Sequence, residues 1–509
     1  MVHAGVTQRL TRLYKALNNP TTQLIEGDEL MASPALHAAT PRPGQPVLFT
    51  GGIVLTMDAA HTVLPRGDVL VKDGVIAEVG EHIEAPADAC VIDASGGILM
   101  PGMVDTHRHM WQTAMRAYGA DWTLTQYFVW YYLQHGAKFR PQDYAAGNLI
   151  SALDAIESGV TTSVDWSHGL RTVEHGEAAF DALVSSPGRF VFAYGNIHQS
   201  PWEWTADPAV QRLLIASRDD SRMFGTQIAF DVPNQDEQFP ELAAYRVAKE
   251  LGLRVTTHAG VWGATNDWGI RNAYHAGVME EGFTYVHAAS LSDESYQMIA
   301  ATGGNVSLAT ESEDTCGQGY PPIHQLRKHG IPTSLSVDTS VWFSADLFSA
   351  MRATVNADRA LEHFHAHRRE PAETITHVKL RAEDVVHMAT RGGAEAIGEI
   401  DRIGSLEVGK LGDVVLLKNE DSPTWAPLIN PWGQVVYQAQ RGDVHTVLVG
   451  GEVVKWQGKV TAGDLRGVRA KLDETVAYLE REVGDDWIAG QHPDIPETEV
   501  LTNPYQYKK

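Results

Sequence analysis

Two cysteines in 509 residues, Cys90 and Cys316, exclude a disulfide framework and any zinc site built from thiolates. Basic residues are in deficit as well: Lys+Arg 40 stand against Asp+Glu 64, a formal net charge of −24. Nucleic acid and anionic membrane surfaces both select for positive charge, so neither is expected as a partner. No apolar run is long enough to span a bilayer, and no basic segment followed by an apolar one opens the chain. A cytoplasmic, reducing location is expected. No Gly-Lys phosphate loop or dinucleotide fingerprint follows a strand; "GQGYPP" and "TRGGAEA" lack the spacing. What is plentiful is histidine, 22 in all.

The apolar fraction of 43% is that of a globular protein, and the length calls for a large central domain with a smaller satellite. Residues 1–46 form an N-terminal extension with a helix-like opening, "TQRLTRLYKALNN". Residues 47–97 and 396–460 share a texture of short β-type runs separated by Gly and Asp turns, Asp73-Gly74 being a strong hairpin signal. One small β-sandwich built from both flanks is the expectation. Between them, 98–395 alternates apolar strand-like runs with helical stretches such as "YAAGNLISALDAIES" and "PELAAYRVAKELG". Eight such runs predict a (β/α)8 TIM-like barrel. Residues 461–509 add a C-terminal helical extension, dense in charge, expected to pack on a partner subunit or to cover the barrel.

In such barrels the chemistry collects at the C-terminal ends of the strands. His107 and His109 close the first run, "GILMPGMVDTHRH"; His258 ends the fifth, His287 the sixth and Asp338 the eighth. Residues i and i+2 of a strand share a face, so His107 and His109 point into one space and Arg108 points away. Three imidazoles and a carboxylate suit Zn²⁺ or another borderline divalent ion, with a position left for water. A lone His-x-His pair is more often a satisfied polar feature. Its coincidence with His258, His287 and Asp338 at separate strand ends is what argues for a site.

The motif "PGMVDTHRH", the stretch "HMWQTAMRAYGADWTLTQYF" and the tail "ATRGGAEAIGEIDRIGSLEVGKLGDVVLL" resemble the amidohydrolase superfamily. More narrowly they resemble its branch of cytosine, guanine and adenosyl-homocysteine deaminases and triazine hydrolases. That resemblance implies that His107, His109, His258 and Asp338 hold one divalent metal ion, Zn²⁺ first, with Fe²⁺, Mn²⁺ and Co²⁺ as alternatives. It also implies that Asp338 serves as base and that His287 contacts or polarises substrate.

Two departures from that branch stand out. Its fifth-strand histidine is followed three residues on by a proton-shuttling glutamate, and this chain has Val261 there. Its seventh strand carries a Pro-x-Ser-Asn turn, and this chain reads "TESED". Asn305 and Ser307 alternate with apolar neighbours, and continuing by twos places Glu311 on the interior face as a replacement acid or, equally, as a solvated loop acid. Trp111, Gln112, Trp166, His168, His198 and Trp342 follow strand ends, where they bind substrate or, alternatively, pack the core. His365, His367 and His387 lie after the last strand and read as structural. The fourth run, "GTQIAFDVPN", has no lysine to bridge two metals, so a mononuclear site is expected.

The expected function is metal-dependent hydrolysis of a C–N bond in a small molecule: amide, urea, carbamate or amino-heterocycle. C–Cl or C–S hydrolysis, a lyase or cyclase reaction, and a catalytically dead binding protein are the competing readings. A homo-oligomer, dimer or tetramer, is the expected assembly.

Overall fold

The computed structural model describes residues 40–196, 203–215, 222–230, 239–261 and 267–491. The helix-like opening at 7–19 and His198 lie outside the described residues.

The first flank supplies β1 (Val47–Leu55), β2 (Val63–Lys72), β3 (Val75–Gly80), β4 (Cys90–Asp93) and β5 (Ile98–Pro101). Asp73 and Gly74 both take positive φ, 53° and 79°, as a two-residue hairpin turn between β2 and β3 requires. The second flank supplies β14 (Val414–Leu417), β15 (Val444–Val449), β16 (Glu452–Trp456) and β17 (Lys459–Val460). β14 joins β5 antiparallel, with Val415 opposite Met100. Both flanks thus form one sheet in the order β17-β16-β15-β14-β5-β1-β2-β3, with β4 paired to β1.

The barrel consists of β6 (Met103–Arg108), β7 (Val160–Ser167), β8 (Arg189–Tyr194), β9 (Met223–Phe230), β10 (Arg254–Ala259), β11 (Thr284–His287), β12 (Asn305–Leu308) and β13 (Thr333–Leu335). Their order is sequential, every neighbour is parallel, and helices such as Pro141–Glu157, Leu242–Leu251 and Asp293–Ala301 intervene. This is the eight-stranded barrel the alternation predicts. β6 and β7 are buried along their whole length, as strands sandwiched between a core and covering helices must be.

The first run divides at its Pro101-Gly102 dipeptide. Ile98–Pro101 belongs to the flank sheet and Met103–Arg108 to the barrel, so a single apolar run serves two cores. Gly102 is the crossing point. A β-carbon there would sit 2.1 Å from Thr161 Oγ1, so only glycine allows this approach.

The helix Leu465–Val483 lies on the barrel helix Pro141–Glu157 of its own chain. Thr475 Oγ1 donates to Asp143 Oδ1 at 2.8 Å, and the Arg140 guanidinium sits 3.6 Å from the Tyr478 ring centre. Among the described residues no helix is long and apolar enough to cross a membrane.

Candidate metal centre

Barrel closure builds the site. The main chain beyond β13 bridges to β6: Asp338 N–H donates to His107 O at 3.0 Å and His109 N–H to Asp338 O at 2.8 Å. Residues over two hundred positions apart are therefore fixed side by side through their backbones. The register of β6 against β7 shifts between Asp105 and Arg108, and the His107 and His109 rings come to lie 4.5 Å apart. Arg108 turns away, as alternation requires. Its buried guanidinium bonds Asp105 Oδ2 at 2.8 Å and the Ala345 carbonyl at 2.8 Å.

Nε2 of His109 and Nε2 of His107 lie 3.2 and 3.3 Å from Asp338 Oδ1, and His258 Nε2 lies 3.3 Å from His107 Nε2. Donors bound at about 2.0–2.1 Å around a tetrahedral centre are separated by about 3.3 Å. The spacing is that of a ligand shell. Proton bookkeeping leads to the same place. His109 Nδ1 is 2.9 Å from the Trp166 carbonyl, which only accepts, so the proton sits on Nδ1 and Nε2 presents a lone pair. That lone pair faces a carboxylate oxygen, and two acceptors at 3.2 Å call for a cation between them. His107, His109 and Asp338, all buried, bring one ligand atom each close enough together to hold a metal ion. His107, His258 and His287 form an overlapping group.

Burial and the neighbouring His109 hold the His107 imidazole well below its ordinary pKa, leaving it neutral and able to ligate. Burial works against the charge on Asp338, yet the His107 and His109 imidazoles beside it hold its carboxyl well below the usual range. Asp338 and His287 take left-handed backbone conformations, φ 59° and 67°. Each such residue costs about 1–3 kcal/mol and persists where surrounding structure enforces it, commonly at functional sites. Trp166 wedges the cluster from one side, stacked 4.1 Å from His258 with its indole N–H donating to Thr256 Oγ1 at 3.0 Å.

His287 stands beside the shell, its ring 5.4 Å from that of His258. Burial pushes its pKa down to about 4, with Asp338 opposing. Its Nδ1 lies 3.4 Å from Glu313 Oε1, and Gln318 Nε2 lies 3.5 Å from its Nε2. His168 is also in the cluster, its ring 4.1 Å from His109 and its Nδ1 3.2 Å from the Trp166 carbonyl.

Other expected site residues are placed elsewhere. Glu311 does not reach the cluster: its Oε2 accepts from Ser344 Oγ at 3.3 Å. Alternation fails there because β12 ends at Leu308 and a helix, Thr310–Cys316, begins two residues later. In helical periodicity it is Glu313 that turns inward, a residue the strand-based reading passed over. Ser307, by contrast, is interior as expected, its hydroxyl 2.7 Å from Thr106 Oγ1. Gln112 has both ends of its amide engaged within the protein, donating to Tyr127 OH at 2.5 Å and accepting from Thr339 Oγ1 at 2.7 Å. Trp111 is fully buried and stacks on Tyr144 at 4.9 Å. Both are thus engaged within the protein, and the Trp111 ring lies 5.8 Å from that of His168. Trp342 is half-buried and donates to the Trp122 carbonyl at 3.0 Å, its ring 4.5 Å from Tyr127.

The amidohydrolase family model matches residues 98–454. A 5-methylthioadenosine/S-adenosylhomocysteine deaminase of Symbiobacterium thermophilum is 30% identical over 462 residues, covering 86% of this chain and 99% of that protein. A 5'-deoxyadenosine deaminase of Methanosarcina acetivorans is 26% identical over 461 residues, 85% of this chain and 98% of that protein. Among solved structures, an adenosine deaminase from Xanthomonas campestris with bound zinc superposes with TM-score 0.74 at 21% identity, covering 86% of this chain and 98% of its own. A mutant of an atrazine chlorohydrolase from Arthrobacter aurescens, complexed with zinc and atraton, gives TM-score 0.71 at 21% identity, with 85% and 100% covered.

Proposed function

The chain belongs to the amidohydrolase family, and on that premise we propose that it hydrolyses a C–N bond of an amino-heterocycle, with one zinc ion held by His107, His109, His258 and Asp338. The observation that carries this reading is the buried donor set in which Asp338 Oδ1 lies 3.2 and 3.3 Å from Nε2 of His109 and His107, with His258 Nε2 3.3 Å from His107 Nε2. The amino-heterocycle is chosen because the two deaminases above are named for adenosine derivatives and match the chain over at least 85% of its length.

A bound zinc ion supplies Lewis acidity and lowers the pKa of a water it holds toward about 7. The protein does the rest. Asp338, kept ionised by its imidazole neighbours, takes a proton from the attacking water. His109 keeps its Nε2 lone pair turned inward because Trp166 fixes the tautomer. His287, neutral and clamped by its own backbone, stands where it can hydrogen-bond the reacting ring. His168 lies close enough to His109 to touch the same small molecule.

The test is ammonia release by the zinc-loaded full chain on 5'-deoxyadenosine and 5-methylthioadenosine, beside amides, ureas and carbamates of similar size. Turnover of an aminopurine that falls about 100-fold or more in Asp338→Asn, with zinc retained, is expected. Turnover confined to carbamates or amides would move the substrate class, and unchanged turnover in Asp338→Asn would remove that residue as base.

A further inference from the structure

Hydrolysis of a C–N bond needs a proton at the departing nitrogen, because an amide anion is a very poor leaving group. Asp338 faces His107 and His109, and Val261 is apolar. Asp105 is engaged by the Arg108 guanidinium and the His107 main chain, whereas Glu313 lies beside the His287 imidazole. It sits in the helix that follows β12 and is 1% exposed.

The surroundings of Glu313 do not suit a structural anion. One backbone N–H, that of Ala309, reaches Oε1 at 2.9 Å. Oε2 is buried without a hydrogen-bond partner, and no cation pairs with the side chain among the described residues. A buried carboxylate so poorly matched is costly, whereas a neutral carboxylic acid is tolerated. Burial pushes the carboxyl well above its ordinary pKa, the Ala309 N–H opposes, and the charge on Asp338 adds to the rise. Glu313 Oε1 is 3.4 Å from His287 Nδ1, which has no hydrogen-bond partner of its own. That separation is looser than a formed hydrogen bond, as such pairs often are before substrate binds.

We propose that Glu313 is the proton store for the departing nitrogen and acts through the imidazole of His287. This rests on the C–N hydrolase reading above. With the Gln318 amide turned so that its otherwise unbonded Oε1 faces His287, the ring carries its proton on Nε2. As the water oxygen bonds to carbon and the C–N bond breaks, the leaving nitrogen takes that proton. His287 Nδ1 takes the proton of the Glu313 carboxyl in the same passage. When ammonia leaves, the proton lost by water and held at Asp338 passes to His287 Nε2 while the Nδ1 proton returns to Glu313, so both residues are reset with no net proton gained. Glu313 is a positioning residue, one step removed from substrate. The strand-alternation logic that selected Glu311 misses it because the chain has already turned into a helix.

Glu313→Gln keeps the shape of the side chain and removes the proton. Its effect is read two ways on the zinc-loaded full chain, with zinc content and thermal midpoint as checks on folding. The infrared difference spectrum between wild type and Glu313→Gln at neutral pH is expected to show a protonated-carboxyl band that the variant lacks. In turnover, Glu313→Gln is expected to lose about 100-fold or more in kcat on 5'-deoxyadenosine, and less than about threefold on its 6-chloro counterpart, whose chloride departs without a proton. Glu313→Asp, which retains an acid, is expected to recover part of the loss. A wild-type spectrum without the band overturns the proposal whatever the activity, and equal loss on both substrates reduces Glu313 to a structural role. Wild type that turns over neither substrate, the band being present, defeats the amino-heterocycle reading and this proposal with it.

Discussion

His109 is fixed at three points: its N–H to the Asp338 carbonyl, its Nδ1 to the Trp166 carbonyl, and its Nε2 facing Asp338 Oδ1. Ligand geometry in this protein is therefore set by neighbours as much as by the ligands themselves. Glu311 shows the opposite case, an acid beside the site with no partner in it. Burial and the charge of Asp346 raise its pKa to about 7 from an ordinary 4.5, with the Ser344 hydroxyl and Arg352 opposing. A raised acid favours the folded state below its unfolded pKa, and that contribution is lost as pH climbs through the folded value. Glu311→Gln is therefore expected to leave the thermal midpoint unchanged at pH 4.5. At pH 8 it should stabilise by about 1 kcal/mol, the remainder being screened by solvent. Calorimetry at the two pH values checks this, and equal effects at both would contradict it.

At the level of elements, the eight barrel strands were legible because each is a short, largely buried run, and alternation with helices admits few topologies. His107, His109, His258, His287 and Asp338 were legible for the same reason: strand ends in a barrel converge. What escaped were the places where a pattern changes period or owner. The strand-to-helix switch at Ala309 exchanged Glu311 for Glu313, and the Gly102 crossing gave half of one apolar run to another sheet. The partners that the Gln112 amide takes, Tyr127 and Thr339, could not be inferred from a linear sequence either. One close approach between elements offers a test. Gly147, in the helix Pro141–Glu157, would place a β-carbon 2.2 Å from the Trp111 carbonyl oxygen, a backbone atom that cannot step aside. Gly147→Ala is expected to cost about 3 kcal/mol and to weaken zinc retention, since Trp111 is two residues from His109. A melt and a zinc assay read both effects, and an unchanged midpoint would show that the helix can shift.

Across the whole molecule, the flank sheet and the barrel are tied by buried charge as well as by the shared run 98–108. Arg189 on β8 pairs with Asp413 through bonds of 3.0 and 3.1 Å, and Gly450 N–H reaches the same carboxylate at 2.7 Å. Arg441 bonds Asp154 at 2.8 Å and Asp346 at 3.2 Å, linking the second flank to the loop beyond the eighth strand. Removing one member of a buried pair strands the other, so Asp413→Ala is expected to cost about 3–5 kcal/mol in denaturant unfolding. A loss under about 1 kcal/mol would show that water replaces the carboxylate. The fold and these ties hold the strand ends that carry the proposed ligands, and the most direct measurement is metal content per chain. Elemental mass spectrometry on protein purified without affinity tags or chelators should find close to one equivalent of zinc, falling sharply in His258→Ala. No metal even after reconstitution, or two equivalents in wild type, would contradict a mononuclear centre at His107, His109, His258 and Asp338.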